Sequence, residues 1–372
     1  MKIAIDARMF DESGIGRYIR NLIEKLSTLD FENDYYILLR KKNYNNLVFN
    51  KNFHRVLADF RWYGLSEQIK LPKILNSIDP DIVHFPHFNV PIFYKGKFIV
   101  TIHDLIHQHF KMTRSTTHDP ILYNLKQFGY SKVFKKAVTD SEIIITPSNY
   151  VKNLLITEWN VLAEKIKVTH EGVDEKILEN IKNYTNISAE RILGKYNITK
   201  PYIFYVGNAH PHKNVEGLVK AFSTLKKTHE NLSLVLSGGD HYFWQRIRKE
   251  VSEKNIVFTN SISDEELAIF YKNAQCFIMP SFEEGFGIPL LEAMSLGCPV
   301  VSSESGSLKE IGGDAAIYFN PKNILEMVEK ILIILNDEKL RNKLIEKGKK
   351  RVKEFSWSIL AKQTLEVYKS CE

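Results

Sequence analysis

The chain has 372 residues, of which 44% are hydrophobic and 26% charged, and it carries a formal net charge of +7. This length exceeds what one hydrophobic core usually supports, so we expect two domains. Three cysteines without a CxxC pair, and no paired histidines at ligand spacing, argue against a disulfide framework or structural zinc. The positive charge indicates an acidic partner, which could be nucleic acid, anionic lipid or a phosphorylated small molecule.

The apolar stretches of the sequence bear on localisation. The amino terminus, MKIAIDARMF, reaches Asp6 after only three apolar residues and lacks the apolar region of a signal peptide. No later stretch is apolar for long enough to cross a bilayer. We therefore expect a cytoplasmic protein and leave open a peripheral contact with the inner face of the cell membrane.

Short β-branched runs alternate with helical periodicity from the start of the chain. In the first half the predicted strands are residues 3–6, 35–39, 55–58, 82–85, 98–102, 143–146 and 166–169. A helical pattern lies between the first two, and its apolar face consists of Ile19, Leu22, Ile23, Leu26 and Leu29. This alternation predicts a parallel sheet that is covered by helices.

The alternation pauses over polar residues 174–200 and then restarts. The later predicted strands are residues 202–208, 232–237, 255–259, 276–280, 299–303 and 316–319. The helix after the first of them has an apolar face made of Val215, Leu218, Val219, Phe222 and Leu225. We predict two doubly wound, Rossmann-like α/β domains, at 1–173 and 201–354, with a linker region at 174–200 and a last helix at 355–372. In such sheets ligands bind beyond the carboxyl ends of the strands, in a cleft that we expect between the domains.

The loop SFEEGFG follows the predicted strand CFIMP and leads into a helix predicted over residues 289–296. Pro289 suits the first helical position and Gly297 suits the carboxyl cap. Gly285 and Gly287 would let the backbone approach a ligand, and a helix amino terminus attracts phosphate. The loop therefore predicts a phosphate site.

Two carboxylates flank this loop. Glu292, which we place in the first turn of the helix, could accept hydrogen bonds from both hydroxyls of a ribose. Glu284 could reach a second polyhydroxy group on the other side of the anion. The alternative without a ligand is that Glu292 only interacts favourably with the helix dipole and that Glu284 is a solvated loop acid. An E-x7-E spacing alone is weak evidence for a binding site.

The segment SFEEGFGIPLLEAMSLGCPVVSSESGSLKEIGGDAAIYFNP resembles the donor-binding region of the retaining GT-B glycosyltransferases of family four. The E-G-F-G-x-x-x-x-E element is the most specific mark of that family, and the resemblance extends across the whole chain. It is closest to the mannosyltransferase-like branch that builds bacterial surface polysaccharides. The resemblance implies the GT-B fold, in which an acceptor-binding domain faces a nucleotide-sugar-binding domain across a deep cleft and the last helix returns to the first domain.

The resemblance also implies roles for the acids and glycines of the loop. Glu292 would hold the ribose of the nucleotide, and Glu284 would contact a hexose hydroxyl and orient the sugar. Backbone groups around Gly285, Phe286 and Gly287 would meet the donor.

A second matching stretch is GNAHPHKN, residues 207–214. The family uses a lysine here to neutralise the diphosphate, which implies Lys213 as a fixed cation in place of a metal. Many members carry an arginine directly after the strand, where this chain has Gly207 and Asn208, so the second cation stays open, and we predict Asn208 as a donor-binding residue. An ordinary exposed lysine is the alternative for Lys213.

The stretch DESGIGRY, residues 11–18, is not a dinucleotide fingerprint, because its third glycine position is Ile19 and the second strand ends without an acidic ribose ligand. In the family this loop approaches the donor phosphate and the acceptor. We therefore predict that Gly14 and Gly16 line the cleft, with a ligand-free glycine turn as the alternative.

Histidines follow two strands of the first domain. A family histidine close to the reacting carbon of the sugar matches His103 in TIHDL, which we predict as catalytic with Asp104 beside it. A structural histidine is the alternative. His84 and His87 are predicted to be cleft-lining or structural, and not metal ligands.

Residues 123–138, YNLKQFGYSKVFKKAV, interleave lysines with apolar residues. An interfacial helix on anionic lipid has this composition. A helix with an apolar inner side and a solvated outer side has it equally, and the sequence does not separate the two.

The predicted activity is retaining, metal-independent transfer of a hexose from a nucleoside diphosphate sugar, with no cofactor and no nucleic-acid partner. The leading donor is GDP-mannose, and the acceptor would be a saccharide or polyprenyl-linked saccharide of O-antigen, capsule or lipopolysaccharide. A nucleotide-sugar epimerase or a phosphorylase on the same fold is the nearer alternative. A nicotinamide-dependent oxidoreductase lacks its glycine fingerprint here, and a nucleic-acid-binding protein lacks a recognised motif.

Overall fold

The computed structural model describes residues 1–110, 120–180, 185–239, 242–251, 253 and 255–372, with the backbone alone for residues 120–127 and 180. The chain divides into two compact units. The first comprises Met1–His107, the described part of Lys111–Glu171, and Trp357–Glu372. The second comprises Gln108–Phe110 and the described part of Gly172–Ser356.

The first unit is built on a parallel sheet. Its strands are β1 (Lys2–Asp6), β2 (Asp34–Leu39), β3 (Phe53–Leu57), β4 (Ile82–Phe85), β5 (Phe98–Thr101), β6 (Ile144–Thr146) and β7 (Ile166–Val168). Their order is β3-β2-β1-β4-β5-β6-β7, and every neighbouring pair is parallel. Most central strands are buried throughout, as expected for a sheet with helices on both faces. Each strand overlaps one that the sequence predicts.

Helices connect these strands. Up to residue 159 they are α1 (Gly14–Leu29), α2 (Lys41–Asn46), α3 (Leu65–Ile78), α4 (Ile106–His109), α5 (Pro120–Asp140) and α6 (Asn149–Trp159). In α1 the predicted apolar face is buried at Ile19, Leu22, Ile23 and Leu26. The periodicity therefore predicted both the helix and its inner side.

The second unit repeats the plan of the first with a smaller parallel sheet. Its strands are β8 (Tyr202–Val206), β9 (Ser233–Ser237), β10 (Ile256–Asn260), β11 (Cys276–Met279), β12 (Val300–Ser303) and β13 (Ala316–Phe319). Their order is β10-β9-β8-β11-β12-β13. The strand order reverses between β8 and β11, and such a switch point is where α/β sheets bind ligands.

The helices of the second unit cover both faces of this sheet. They are α7 (Glu175–Asn180), α8 (Asn186–Lys195), α9 (Val215–Leu225), α10 (Tyr242–Glu250), α11 (Asp264–Asn273), α12 (Ile288–Ser295), α13 (Leu308–Gly312), α14 (Ile324–Asn336) and α15 (Glu338–Val352). The segment 174–200, which the sequence predicts as a linker, carries α7 and α8. Ala189, Ile192 and Leu193 of α8 are buried in the core of the second unit.

The last helix, α16 (Trp357–Lys369), belongs to the first unit and packs along α1. The ring of Trp357 meets the ring of Tyr18 edge to face, with 6.3 Å between centroids. The fold is thus the predicted pair of doubly wound α/β domains, with a last helix that returns to the first.

The helix that the sequence left open between lipid contact and core packing is α5. Over its described side chains, Phe134, Ala137 and Val138 are buried in the core of the first unit, while Lys132 and Lys135 are exposed. The outer side also exposes Phe128, which is 59% exposed with Lys132 over its ring, so the choice between lipid contact and a solvated face stays a prediction. Leu125 and Lys126 lie outside the described side chains. Among the helices that the structure describes, none combines the length and the apolarity needed to span a membrane.

Candidate functional site

Two loops of the second unit begin at adjacent strand ends. Strands β8 and β11 pair in parallel, with Cys276 opposite Ile203, so the loops that follow them leave the same edge of the sheet. The backbone N–H of Phe282 donates to the carbonyl of His212 at 2.7 Å. The side-chain amide of Asn214 donates to the carbonyl of Pro280 at 3.1 Å. These bonds tie the 207–214 loop to the 280–287 loop.

The two loops bring Lys213 and Glu284 together as an ion pair. The Lys213 ammonium donates to both carboxylate oxygens, with Nζ 2.7 Å from Oε1 and 2.8 Å from Oε2. The hydroxyl of Ser281 donates to Oε1 at 2.6 Å. Charge-assisted bonds of this kind are the strong ones, and an ammonium carries three donor hydrogens. The pair therefore offers a fixed cation beside a fixed carboxylate, as a sugar diphosphate would require.

The loop after β12 supports Glu284 from behind. The backbone N–H of Ser307 donates to the carbonyl of Glu284 at 3.1 Å, and the Ser307 hydroxyl lies 2.8 Å from the carbonyl of Phe286. Gly306 has a φ of +66°, and a Cβ at this position would lie 2.6 Å from the backbone nitrogen of Glu284. Sequence reasoning assigned no role to Ser281, Gly306 or Ser307. The available signal was a run of serines and glycines after β12, the strand beside β11.

The 280–287 loop packs the ring of Phe286 into the core and leads into the amino end of α12. Phe286 is buried, and its ring meets Phe355 edge to face at 5.9 Å between centroids. Gly285 is buried as well, and Gly287 caps α12 with a φ of +101°. Since the Phe286 side chain is occupied in the core, the loop can offer a ligand its peptide groups and the amino end of α12.

Glu292 lies deeper than predicted. The helix begins at Ile288, one residue before the predicted start, because Gly287 serves as the cap. Glu292 is therefore the fifth residue of α12, and its predicted place in the first turn was wrong. The carboxylate is buried, and the Tyr271 hydroxyl from α11 donates to its Oε2 at 3.2 Å. A buried carboxylate needs such a partner, and this one fixes its orientation.

Asn208 is exposed and holds the turn after β8. Its Oδ1 accepts a hydrogen bond from the backbone N–H of His210 at 3.2 Å. Its carbonyl accepts one from the hydroxyl of Tyr205 at 2.6 Å. Burial, reinforced by the charge of Glu284, raises the pKa of Tyr205 well above its ordinary value, so this hydroxyl stays a donor.

In the first unit, His103 is engaged through both ring nitrogens. Nδ1 lies 3.0 Å from Oε1 of Glu171, and Nε2 lies 3.0 Å from the carbonyl of Pro86. A carboxylate and a carbonyl only accept, so the ring donates twice and is an imidazolium. Burial acts to lower the pKa of His103, but the hydrogen bond and charge of Glu171 outweigh it and raise that pKa. The predicted catalytic role of His103 stays a prediction, and this geometry favours a fixed cation over a general base.

His84 lies near His103 but is neutral. Its Nδ1 is 2.7 Å from the hydroxyl of Tyr368, and its Nε2 is 2.8 Å from Oγ1 of Thr101. Burial, together with the charge of His103, lowers the pKa of His84 to about 3. Burial lowers the pKa of His87 to about 3 as well. Both rings are neutral near pH 7; His84 is fully buried in the first unit, and His87 is half-buried beside Tyr63.

The glycines of the first unit start a helix. Because α1 begins at Gly14, both Gly14 and Gly16 lie in its first turn and not in a loop before it. A Cβ on Gly16 would lie 2.6 Å from the carbonyl oxygen of Phe10, so glycine lets the preceding loop pack against the helix. Asp104 accepts the N–H of Ile106 at 3.0 Å and thereby starts α4. That Gly14 and Gly16 line the cleft stays a prediction.

A buried ion cluster closes the carboxyl end of β1. Arg8 donates to both oxygens of Asp6, at 2.8 and 2.6 Å, and to Glu67 at 2.5 Å. Sequence reasoning missed this cluster because Glu67 lies 59 residues away in the chain. Within the part of the chain that the structure describes, no group of three or more His, Cys, Asp and Glu side chains is arranged to hold a metal ion.

Both halves of the chain match described families. Residues 188–351 match "Glycosyl transferases group 1", and residues 13–176 match "Glycosyltransferase Family 4". The O-antigen chain mannosyltransferase B of Escherichia coli is 30% identical over 294 residues, which cover 77% of this chain and 74% of that protein. The O-antigen chain mannosyltransferase RfbU of Salmonella typhimurium is 25% identical, over 74% of this chain and 71% of that protein.

Solved structures share the fold. Anabaena HepE, crystallised with UDP and glucose, superposes with a TM-score of 0.75 at 15% identity, and the match covers 100% of both chains. This likeness shows the architecture, in agreement with the two parallel sheets described above. The chain belongs to the family 4, group 1 glycosyltransferases, and it is a transferase with the two-domain α/β fold of the GT-B enzymes.

Proposed function

We propose that the protein is a retaining glycosyltransferase that moves a hexose from a nucleoside diphosphate sugar without a metal ion or other cofactor. The leading donor is GDP-mannose, and the acceptor is a saccharide or polyprenyl-linked saccharide of a cell-surface polysaccharide. Two relatives named as O-antigen mannosyltransferases support mannose as the hexose and a surface polysaccharide as the setting. The bound UDP of HepE supports a nucleotide sugar as the substrate class. The protein would act in the cytoplasm, at the inner face of the membrane.

The observation that carries the proposal is the Lys213–Glu284 pair on two adjacent loops. A diphosphate that approaches Lys213 can replace one of the ammonium's bonds to Glu284. The ammonium then stabilises the charge that develops on the leaving diphosphate, which is the kind of preorganised contact that lowers a barrier most. Once one of the bonds from Lys213 is released, Glu284 can accept a hydrogen bond from a hydroxyl of the hexose. The Ser281 hydroxyl still donates to Glu284 and keeps the carboxylate in place.

The amino end of α12 extends this site toward the nucleotide. The helix dipole favours the diphosphate, and Glu292 is held by Tyr271 with a carboxylate that suits the two hydroxyls of a ribose. Glu284 is already bonded to Lys213 and Ser281, which supports an orienting role over that of a covalent nucleophile. In a same-face substitution the acceptor oxygen bonds to the anomeric carbon as the carbon–phosphate oxygen bond breaks. A phosphate oxygen then takes the acceptor's proton.

A thermal-shift panel of UDP, GDP and ADP with their sugars tests the donor. A ligand at 100 times its Kd stabilises the folded state by about 2.7 kcal/mol, so a selective shift names first the base and then the hexose. We expect the largest shift with GDP and GDP-mannose. No shift with any nucleotide would remove the proposal.

Calorimetry on a Glu292→Gln variant tests the nucleotide site. Losing a charged acceptor should weaken nucleoside diphosphate binding by about tenfold or more, since such a bond contributes roughly 1.5–3 kcal/mol. Glu329→Gln on the exposed side of α14 is the control and should bind as the wild type does. Unchanged affinity in Glu292→Gln would contradict the ribose role.

Product analysis separates the remaining alternatives. Proton NMR of the product should show the anomeric configuration of the donor retained, and activity should survive a chelator. An inverted product would contradict retention, and activity that metal restores after chelation would contradict the metal-free reaction. Turnover without any acceptor would favour an epimerase over a transferase.

A further inference from the structure

One side of α3 in the first unit exposes large apolar side chains. Leu65 and Ile69 are 82% and 54% exposed, and their spacing of four residues places them on one face of the helix. Phe93 is 67% exposed in the loop after β4, and its neighbour Ile92 is 37% exposed. We call Leu65, Ile69, Ile92 and Phe93 the apolar patch. Clustered apolar side chains of this size in water mark an interaction surface more often than scattered single ones do.

The two parts of the apolar patch are joined. The backbone N–H of Ile92 donates to Oε1 of Gln68 at 2.7 Å. Gln68 follows Leu65 by three residues and precedes Ile69, so this bond holds the loop against the same side of α3. Tyr94 anchors the loop from within, because it is buried and its ring meets Phe85 edge to face. The backbone that carries these apolar side chains is therefore held in place on both α3 and the loop.

The exposed charged side chains beside the apolar patch are mostly basic. Over residues 61–78 and 91–97, which contain α3 and the loop, the exposed charged side chains are Arg61, Lys70, Lys73, Lys95 and Lys97. The acid of these stretches, Glu67, is buried and bonded to Arg8 at 2.5 Å. Two exposed acids flank these stretches, Asp59 before Arg61 and Asp79 at the carboxyl end of α3, and the charge of Asp79 reaches Tyr94 of the loop. An apolar surface with more basic than acidic side chains beside it complements an anionic interface that has an apolar interior.

We propose that the apolar patch docks the protein on an anionic lipid bilayer, with Leu65, Ile69 and Phe93 entering the headgroup region and the lysines meeting lipid phosphates. Each basic residue near an anionic bilayer strengthens binding electrostatically, and each apolar side chain that enters the headgroup region strengthens it through burial. A polynucleotide offers phosphates without an apolar layer and would leave the apolar patch in water. The docking does not depend on the identity of the donor or the acceptor. It assigns the membrane contact to α3 and the 91–97 loop, whereas Phe134, Ala137 and Val138 of α5 pack inward.

Vesicle sedimentation tests the docking with the whole protein. We expect binding to phosphatidylcholine vesicles that contain phosphatidylglycerol, little binding to phosphatidylcholine alone, and release as salt rises toward 1 M, where the Debye length falls to about 3 Å. A Leu65→Ser, Phe93→Ser double variant should bind the anionic vesicles at least about tenfold more weakly. The matched control is Leu325→Ser, Ile187→Ser, because those side chains are 74% and 79% exposed in the second unit.

Several outcomes would overturn the docking. Equal binding of the wild type and the Leu65→Ser, Phe93→Ser variant would do so, as would equal binding to neutral and anionic vesicles. Stronger loss in a Lys132→Ser, Lys135→Ser variant would move the contact to α5. Release by inorganic phosphate, beyond that by sodium chloride of equal ionic strength, would indicate a site for free phosphate in place of a lipid surface. Unchanged unfolding temperatures and nucleotide shifts confirm that the variants are folded, and since the assay uses no turnover, its failure leaves the proposed transfer standing.

Discussion

The Lys213–Glu284 pair of the second unit and the His103–Glu171 pair of the first unit are buried to the same degree. The side chains of the former are 19% and 8% exposed, and those of the latter 16% and 9%. Their surroundings differ. Lys213 spends two of its hydrogens on one carboxylate and can exchange a partner, whereas His103 has both ring N–H groups committed to different acceptors. The comparison indicates that the second unit holds an ion pair ready for a ligand and the first holds one that stiffens its interior.

Lys213→Ala is the strongest test of this difference. Removing the cation should lower kcat by roughly 100- to 1,000-fold, the usual cost of losing one preorganised group that stabilises a leaving charge. Lys213→Arg should recover part of the rate. Lys220→Ala, on the exposed side of α9, is the control. Near wild-type turnover in Lys213→Ala, measured by release of the nucleoside diphosphate, would show that the pair is merely structural.

Glu171→Gln tests the locked pair of the first unit. The amide keeps the shape but not the charge, so the pKa of His103 should fall and the free energy of unfolding should drop by roughly 1.5–3 kcal/mol. NMR titration of the ring and urea unfolding measure the two effects, and Glu164→Gln is an exposed control. If His103 titrated identically in both proteins, its charge would not depend on Glu171.

The sequence predicted neither ion pair, but it singled out both members of one and only one member of the other, for a physical reason. Lys213 and Glu284 sit in loops directly after buried strands, and both loops carry glycine or proline signals that are local. The bond between His103 and Glu171 spans 68 residues, and the bond between His84 and Tyr368 spans 284. Such contacts depend on which strands become neighbours and where the last helix returns, and periodicity does not encode either. The same holds for Ser307, which reaches Glu284 because β12 lies beside β11.

The position of Glu292 in α12 shows a smaller error of the sequence-based prediction. Sequence rules placed the start of α12 at Pro289, but a left-handed Gly287 lets the helix begin at Ile288. With the helix starting one residue earlier, Glu292 lies beyond the first turn, where it accepts a hydrogen bond from Tyr271. The described strands, by contrast, were predicted within one or two residues, most of them from runs of apolar residues that are buried in the structure.

Gly306→Ala asks whether the second unit's pair needs its backbone support. A Cβ would meet the backbone nitrogen of Glu284 at 2.6 Å, in a conformation that only glycine adopts easily. We expect a loss of roughly 1–3 kcal/mol in the free energy of unfolding, with a fall in kcat as Glu284 shifts. Gly194→Ala in α8, where a Cβ would meet nothing within 4 Å, should be neutral or slightly stabilising. Equal urea midpoints for Gly306→Ala and the wild type would contradict the support.

The smallest expected effect concerns pH and contrasts His84 with His103. The folded-state pKa of His84 is about 3, below its ordinary value, so the unfolded chain binds more protons and stability falls as pH drops below about 6.5. His87 acts in the same direction. His103 has a raised pKa, so its contribution is complete below about 6.5 and is lost only as pH rises through the folded-state value.

Between pH 6.5 and 5 the slope of stability against pH should therefore come mainly from His84 and His87, each approaching about 1.4 kcal/mol per pH unit. His84→Gln can still bond Tyr368 or Thr101 but cannot titrate, so it should remove about half of that slope. Urea unfolding across this range measures the slope. An unchanged slope in His84→Gln would mean that the His84 ring gains its proton in the folded protein and is not held neutral beside the charged His103.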